Sequence, residues 1–258
     1  MEDRQTNERQ QHWPTPTAVL RGSSWGTGRP VLLLHAGGER RSVWQPVIDH
    51  LLATRPGRER WVALDQRGHG DSGGTADHIR QLGDDTSLVV GDLTADGRRC
   101  AAVGASLGGF AILAALARPA TVAVVAGVVL VDVVPRPDEL RVRRFLADRG
   151  LLPPGRGLVD DILGAGPELA AHLATWGGPV TLARAERSPI TDRDVDRLRA
   201  ELPWLEVVKV PGADHLVART APLALAGVIA SAADRLPHQG PHPDTSGPTG
   251  QGDRPGRG

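Results

Sequence analysis

The sequence predicts an α/β fold, with a mostly parallel central sheet flanked by helices and a short helical lid insertion. Three observations carry that prediction. Apolar runs of strand length alternate with helix-like segments from about residue 18 to residue 236. Most of these runs are continuous rather than alternating, as expected for strands buried on both faces of a parallel sheet. One of them enters Gly104-Ala105-Ser106-Leu107-Gly108-Gly109, and an alanine- and leucine-rich segment leaves it. That is the strand, serine, helix order of a nucleophile elbow.

Taken in order, residues 18–21 read as a short strand and 29–35 (Arg29-Pro30-Val31-Leu32-Leu33-Leu34-His35) as a buried one. Residues 43–53 have helical spacing, and 61–65 form a second buried strand. Residues 79–93 read as a helix weakened by Gly83 and Gly91. Residues 101–104 lead into the elbow, and the helix of 107–117 stops before Pro119. Val128-Val129-Leu130-Val131-Asp132 is another buried strand, ending in an acid. Across 133–178 the pattern changes to short helices (138–149, 158–163 and 167–175) broken by proline and glycine. This segment is read as a lid over the carboxyl ends of the strands, where open α/β sheets bind ligands. Phe145 and Trp176 are its aromatics, with Leu151, Leu152, Leu158, Ile162 and Leu163 beside them. Alternation resumes with strand 180–184, helix 192–202, strand 206–210 and helix 223–236. The organisation expected is a disordered N-terminus (1–15), a first core segment (16–132), a lid (133–178), a second core segment (179–236) and a disordered tail (237–258).

Composition narrows the function. A chain of 258 residues suffices for one sizeable domain. Thirty basic and 30 acidic residues cancel, and no basic block points to a nucleic-acid partner. Lys209 is the lone lysine, which reads as codon bias rather than function. The single cysteine, Cys100, excludes an internal disulfide and is read as core; no Cys/His cluster has metal-ligand spacing, so no metal is expected. Residues 1–11 are polar, without a secretory signal, and the longest apolar run, 122–131, is far shorter than a membrane span. A soluble, cytoplasmic protein is expected, needing no cofactor and taking a small-molecule substrate, with no nucleic acid, no membrane, and a homodimer left open. With no tyrosine, a tyrosine hydroxyl is excluded as acid or oxyanion donor.

A serine hydroxyl is a weak nucleophile until a base takes its proton, and the base needs an orienting acid. Gly104 and Gly108 remove the Cβ atoms that would collide where strand and helix pack closely around Ser106. His215, in Val210-Pro211-Gly212-Ala213-Asp214-His215 after the last strand, is the base candidate. The plainer readings are an idle serine in a glycine-rich turn and a solvated loop histidine.

His35-Ala36-Gly37-Gly38, Asp65-Gln66-Arg67-Gly68-His69-Gly70-Asp71-Ser72, the elbow, Leu130-Val131-Asp132 and Pro211-Gly212-Ala213-Asp214-His215 resemble successive signatures of the α/β-hydrolase fold family. The likeness is to its cofactor-free esterase, C–C hydrolase and perhydrolase-type branch, and spans about residues 17–236. It implies Ser106 as nucleophile, His215 as base and then acid, and the Leu107 N–H as one oxyanion donor. It also implies a second donor from the loop after His35, at Gly37, with Ala36 standing where relatives carry glycine. His69 and Asp71 are read as structural.

The acid departs from the family pattern. Arg184-Ala185-Glu186-Arg187-Ser188-Pro189 places Ser188 where relatives carry aspartate. Asp132, at a strand end, is favoured over Glu186, and Asp214 is expected to point away from the imidazole. Three functions follow. The first is hydrolysis of an ester, thioester or lactone through an acyl-enzyme on Ser106. The second is C–C cleavage, elimination or cyclisation on the same triad, and the third is ligand binding without catalysis.

Overall fold

The computed structural model describes residues 8–150 and 157–236. The chain opens with β1 (Arg9–Pro14), β2 (Val19–Gly26), β3 (Arg29–Leu34), α1 (Gln45–Thr54), β4 (Glu59–Asp65) and α2 (Ile79–Leu93). It continues with β5 (Cys100–Ala105), α3 (Leu107–Ala115), α4 (Pro119–Val124), β6 (Val125–Val131), α5 (Glu139–Ala147) and α6 (Leu158–Trp176). It closes with β7 (Val180–Arg187), α7 (Asp192–Glu201), β8 (Glu206–Asp214), α8 (Val217–Thr220) and α9 (Pro222–Asp234). Leu151 and Leu152 of the expected lid, and the tail 237–258, lie outside the described residues.

The strands form one eight-stranded sheet ordered β1-β2-β4-β3-β5-β6-β7-β8. β1 and β2 join antiparallel, and every pair from β4 to β8 is parallel. All seven residues of β6 are buried, which explains its unbroken valine-rich run. One apolar layer packs α2, α3, α6 and α7 against one face through residues such as Leu32, Leu82, Leu113, Leu169 and Leu198. A second layer packs α1 and α9 against the other, through Val31, Trp44, Leu51, Trp61 and Ile229. α3 has no polar face because all nine of its residues are buried.

Three local expectations are corrected. Residues 9–14 are not disordered: they form edge strand β1, with Arg9 opposite Ser24 and Pro14 opposite Val19. An edge strand with an exposed face reads as polar chain, yet Trp13 is buried and its Nε1–H donates to Asp92 Oδ2 at 2.9 Å. Residues 158–176 form one helix rather than two. Pro167 sits inside it, while Ile162, Leu169 and Leu173 bury on the core and outweigh the lost backbone bond. The helix after the elbow stops at Ala115 rather than 117, and Pro119 begins a further helix, α4, where its fixed φ suits the first turn.

The strand order switches direction between β3 and β5, so their carboxyl ends face a common crevice. In register, Leu34 pairs with Gly104 and Ala105 with Val131. The loop after β3, Ser106, Asp132, the end of β7 and His215 therefore follow one another along one sheet edge.

Candidate active site

Ser106 sits between β5 and α3 with φ 45° and ψ −109°, in a region L-residues rarely adopt. The glycines explain how the turn closes. A Cβ on Gly104 would lie 2.5 Å from backbone atoms of Gly108 and Gly109, and one on Gly108 would meet the Leu34 carbonyl. The Ser106 carbonyl accepts from Gly109 and Phe110 N–H at 2.9 and 3.2 Å, opening α3 directly at the serine. The Leu107 N–H precedes the first of these bonds, so it has no intrahelical acceptor and lies at the positive end of the helix dipole.

His215 follows β8 and is half-buried; its Nδ1 donates to Asp132 Oδ2 at 2.8 Å. Asp132, at the end of β6, is fully buried and takes a left-handed φ of 51°, which aspartate tolerates better than most residues. Its Oδ1 accepts the Ala185 N–H at 2.9 Å and the Ser188 hydroxyl at 2.6 Å. Three donors thus converge on one buried carboxylate and fix its orientation toward His215. Ser188 in turn accepts the Ile190 N–H at 2.9 Å.

Of the two acids left open by the sequence, Asp132 is the one brought to His215. Glu186 accepts the Gly212 N–H at 2.9 Å and faces Lys209, and these partners hold its carboxyl below the usual range. Asp214 accepts the Leu216 N–H and so turns into the start of α8 rather than to the imidazole. His69 packs against His35 at 5.1 Å, and Asp71 pairs with Arg41 at 2.8 Å, away from Ser106.

His35 is fully buried and serves the loop behind the site. Its Nε2 accepts the Gln66 N–H at 3.0 Å and its Nδ1 meets the Ala36 carbonyl at 2.8 Å, so the ring is neutral with the proton on Nδ1. Burial pushes its pKa down to about 4. Gly37 is exposed and lies over the start of α3: a Cβ there would be 3.8 Å from Leu107 Cδ2.

Ser106, Asp132 and His215 line a common cavity of about 90 Å³, walled by Phe110, Val133, Phe145 and Ile190. Phe145 of α5 makes a T-shaped contact with the His215 ring at 4.8 Å, and the Arg149 guanidinium lies over the Phe145 ring at 3.7 Å. Among the described residues no group of His, Cys, Asp or Glu could hold a metal ion, and no helix is long and apolar enough to cross a membrane. Sequence reasoning missed two participants. The Ser188 hydroxyl bonds the acid from the position where relatives carry the acid itself, a signal the sequence displayed. The contact of Phe145 with the imidazole has no local signal, because it depends on how α5 folds back.

Fold and site together define a hydrolase enzyme. The chain belongs to the α/β-hydrolase family: the profile described as "Alpha/beta hydrolase family" matches residues 31–228. Among solved structures, E-2-(acetamidomethylene)succinate hydrolase is similar at 21% identity and a TM-score of 0.68, over 88% of this chain and 100% of that one. A thermophilic esterase from Thermogutta terrifontis, with malate bound, gives 20% identity and a TM-score of 0.68 over 86% and 97%. The thioesterase domain from the curacin biosynthetic pathway gives 17% and 0.65 over 86% and 99%. No curated protein matches the sequence.

Proposed function

We propose that the protein is a serine hydrolase acting on an ester, thioester or lactone of a small to medium organic acid. The observation that carries this reading is the strained Ser106 elbow sharing one cavity with a histidine bonded at 2.8 Å to a buried carboxylate. Asp132 holds His215 with its proton on Nδ1, leaving Nε2 free to take the Ser106 proton. Ser106 Oγ attacks the carbonyl carbon, and the new oxyanion is held by the N–H groups of Leu107 and Gly37. His215 then passes its proton to the leaving alcohol, thiol or lactone oxygen, and the acyl group stays on Ser106. Water, deprotonated by the same Nε2, releases the acid and restores the serine.

The cavity walls are mostly apolar, which suits a compact uncharged acyl group. We assign residues 133–178 the role of a lid, supported by the contact of Phe145 with His215. A cytoplasmic location belongs to the same reading. Esterase and thioesterase names among the similar structures agree with it. The test is labelling of the folded protein by a fluorophosphonate, followed by peptide mass spectrometry. Label on Ser106, lost in Ser106→Ala together with hydrolysis of p-nitrophenyl acetate, is the expected result. Folded protein that takes no label refutes the proposal.

A further inference from the structure

We propose that Glu39 and Arg219 form a charge-neutral clasp that sets the oxyanion side of the site. Glu39 holds the loop bearing Gly37, and Arg219 cancels a negative charge that would otherwise oppose the developing oxyanion. This rests on the serine-hydrolase reading of Ser106.

The Glu39 side chain is 4% exposed, and its Oε1 accepts Arg219 Nε–H at 2.6 Å. Its other oxygen accepts the Ala36 N–H at 3.3 Å, while the Glu39 N–H donates to the Ala36 carbonyl at 3.1 Å. These two bonds close the turn 36–39 on itself, and the Gly37 N–H takes part in neither. Gly37 lies against Leu107, the residue bearing the other proposed donor. Bond lengths then keep the Glu39 carboxylate within roughly 7 Å of the Gly37 N–H. Arg219 belongs to α8, which starts two residues beyond His215, so one ion pair joins the loop of the oxyanion donor to the loop of the base.

The two jobs of Glu39 are separable. Closing the turn needs only an acceptor, which a glutamine would supply equally. The charge is a different matter: a bare carboxylate at that distance repels an alkoxide of the same sign, and it is the buried Glu39, not the half-exposed Arg219, that would be left uncompensated. A buried carboxylate is tolerable here because Arg219 pairs with it. Glu39 and Arg219 are positioning residues in this scheme; neither touches the reacting atoms.

The experiment reads the second-order rate of fluorophosphonate labelling at Ser106, since the phosphoryl oxygen occupies the oxyanion position. Values of kcat and KM for p-nitrophenyl acetate and thermal melting by circular dichroism accompany it. Arg219→Ala is expected to lower labelling and kcat by about 10- to 50-fold, with KM changed by less than about threefold. Adding Glu39→Gln to Arg219→Ala should recover at least about fivefold, because it removes the unpaired charge and keeps the turn acceptor. Glu39→Ala should lose more activity than Glu39→Gln, because it opens the turn as well. A purely structural brace predicts the opposite, with the second substitution adding to the damage of the first.

Arg219→Ala labelling within about twofold of the parent, or a double variant no faster than Arg219→Ala, overturns the proposal. Should Glu39→Ala fail to fold, the comparison of Arg219→Ala with the double variant decides alone. A parent protein that takes no label overturns the serine-hydrolase reading. A labelled parent without recovery in the double variant overturns only the clasp.

Discussion

Replacing Asp132 by asparagine separates the shape of the third residue from its charge, and the hydrogen bonds fix which way the amide must point. In the parent, Oδ1 accepts the Ala185 N–H and the Ser188 hydroxyl, while Oδ2 accepts from His215 Nδ1. The Ala185 N–H belongs to the backbone and can only donate, so the single oxygen of asparagine must take the Oδ1 place. Turning the amide over would set two donors against each other and leave a buried N–H unpaired, at about 1–3 kcal/mol. The NH2 group therefore faces His215 Nδ1, which must become an acceptor and move its proton to Nε2. An imidazole protonated at Nε2 cannot take the Ser106 proton. The expected loss in kcat is about 10⁴-fold, or roughly 5 kcal/mol of transition-state stabilisation, with KM little changed. Steady-state hydrolysis of p-nitrophenyl acetate measures it, and circular dichroism checks that the variant is folded. Glu186→Gln, in an exposed group bonded to Gly212, should stay within about twofold of the parent. An Asp132→Asn enzyme within tenfold of the parent, or a larger loss in Glu186→Gln, refutes the argument.

Three further outcomes test the scaffold. His35 binds a proton near pH 4 when folded, against about 6.5 when unfolded, so only the unfolded chain takes up protons between those values. Its contribution is complete above about pH 6.5 and is lost as pH falls, reaching about 3 kcal/mol by pH 4. Urea unfolding from pH 7 to 4.5 should show that slope in the parent and a shallower one in His35→Gln; equal slopes would remove His35 as the cause. Gly108→Ala places a methyl on the Leu34 carbonyl and should abolish soluble folded protein or lower the melting temperature by more than about 10 °C. Gly91→Ala, in α2 with nothing within 4 Å of the new Cβ, should instead raise stability by up to about 1 kcal/mol. A Gly108→Ala protein that melts like the parent would show that the elbow has slack the geometry denies.

Most of the sheet was legible because its strands are buried on both faces. Residues 29–35, 61–65, 101–104 and 128–132 are runs with no polar interruption, and a parallel strand is the element that needs them. β1 was illegible for the complementary reason: it has an edge and an exposed face, so only Trp13 marks it as packed. Helix α6 reads as two pieces because Gly164, Gly166 and Pro167 are local signals, whereas its continuity comes from long-range burial. Gly166 illustrates the point. Its missing Cβ leaves room for the Pro135 carbonyl, which would lie 3.0 Å from it, so a residue that weakens a helix alone lets this one pack closely.

The site divides along the same line between local and distant causes. Ser106 announces itself because its turn is dictated by close backbone approach, and His215 because it directly follows the last strand, after the serine in chain order. The acid does not announce itself, since a carboxylate can reach the same imidazole from the end of β6 or from the turn after β7. What decides between them is the supply of donors around each. The end of β7 and the turn after it offer the Ala185 N–H and the Ser188 hydroxyl, both aimed at the end of β6, so a carboxylate arriving from β6 is held by two bonds before it meets His215. A carboxylate at 188 itself would set a second negative charge beside Asp132 in place of the hydroxyl that donates to it. Ser188 is thus the complement of Asp132: one position gives up its charge so that its neighbour can keep one.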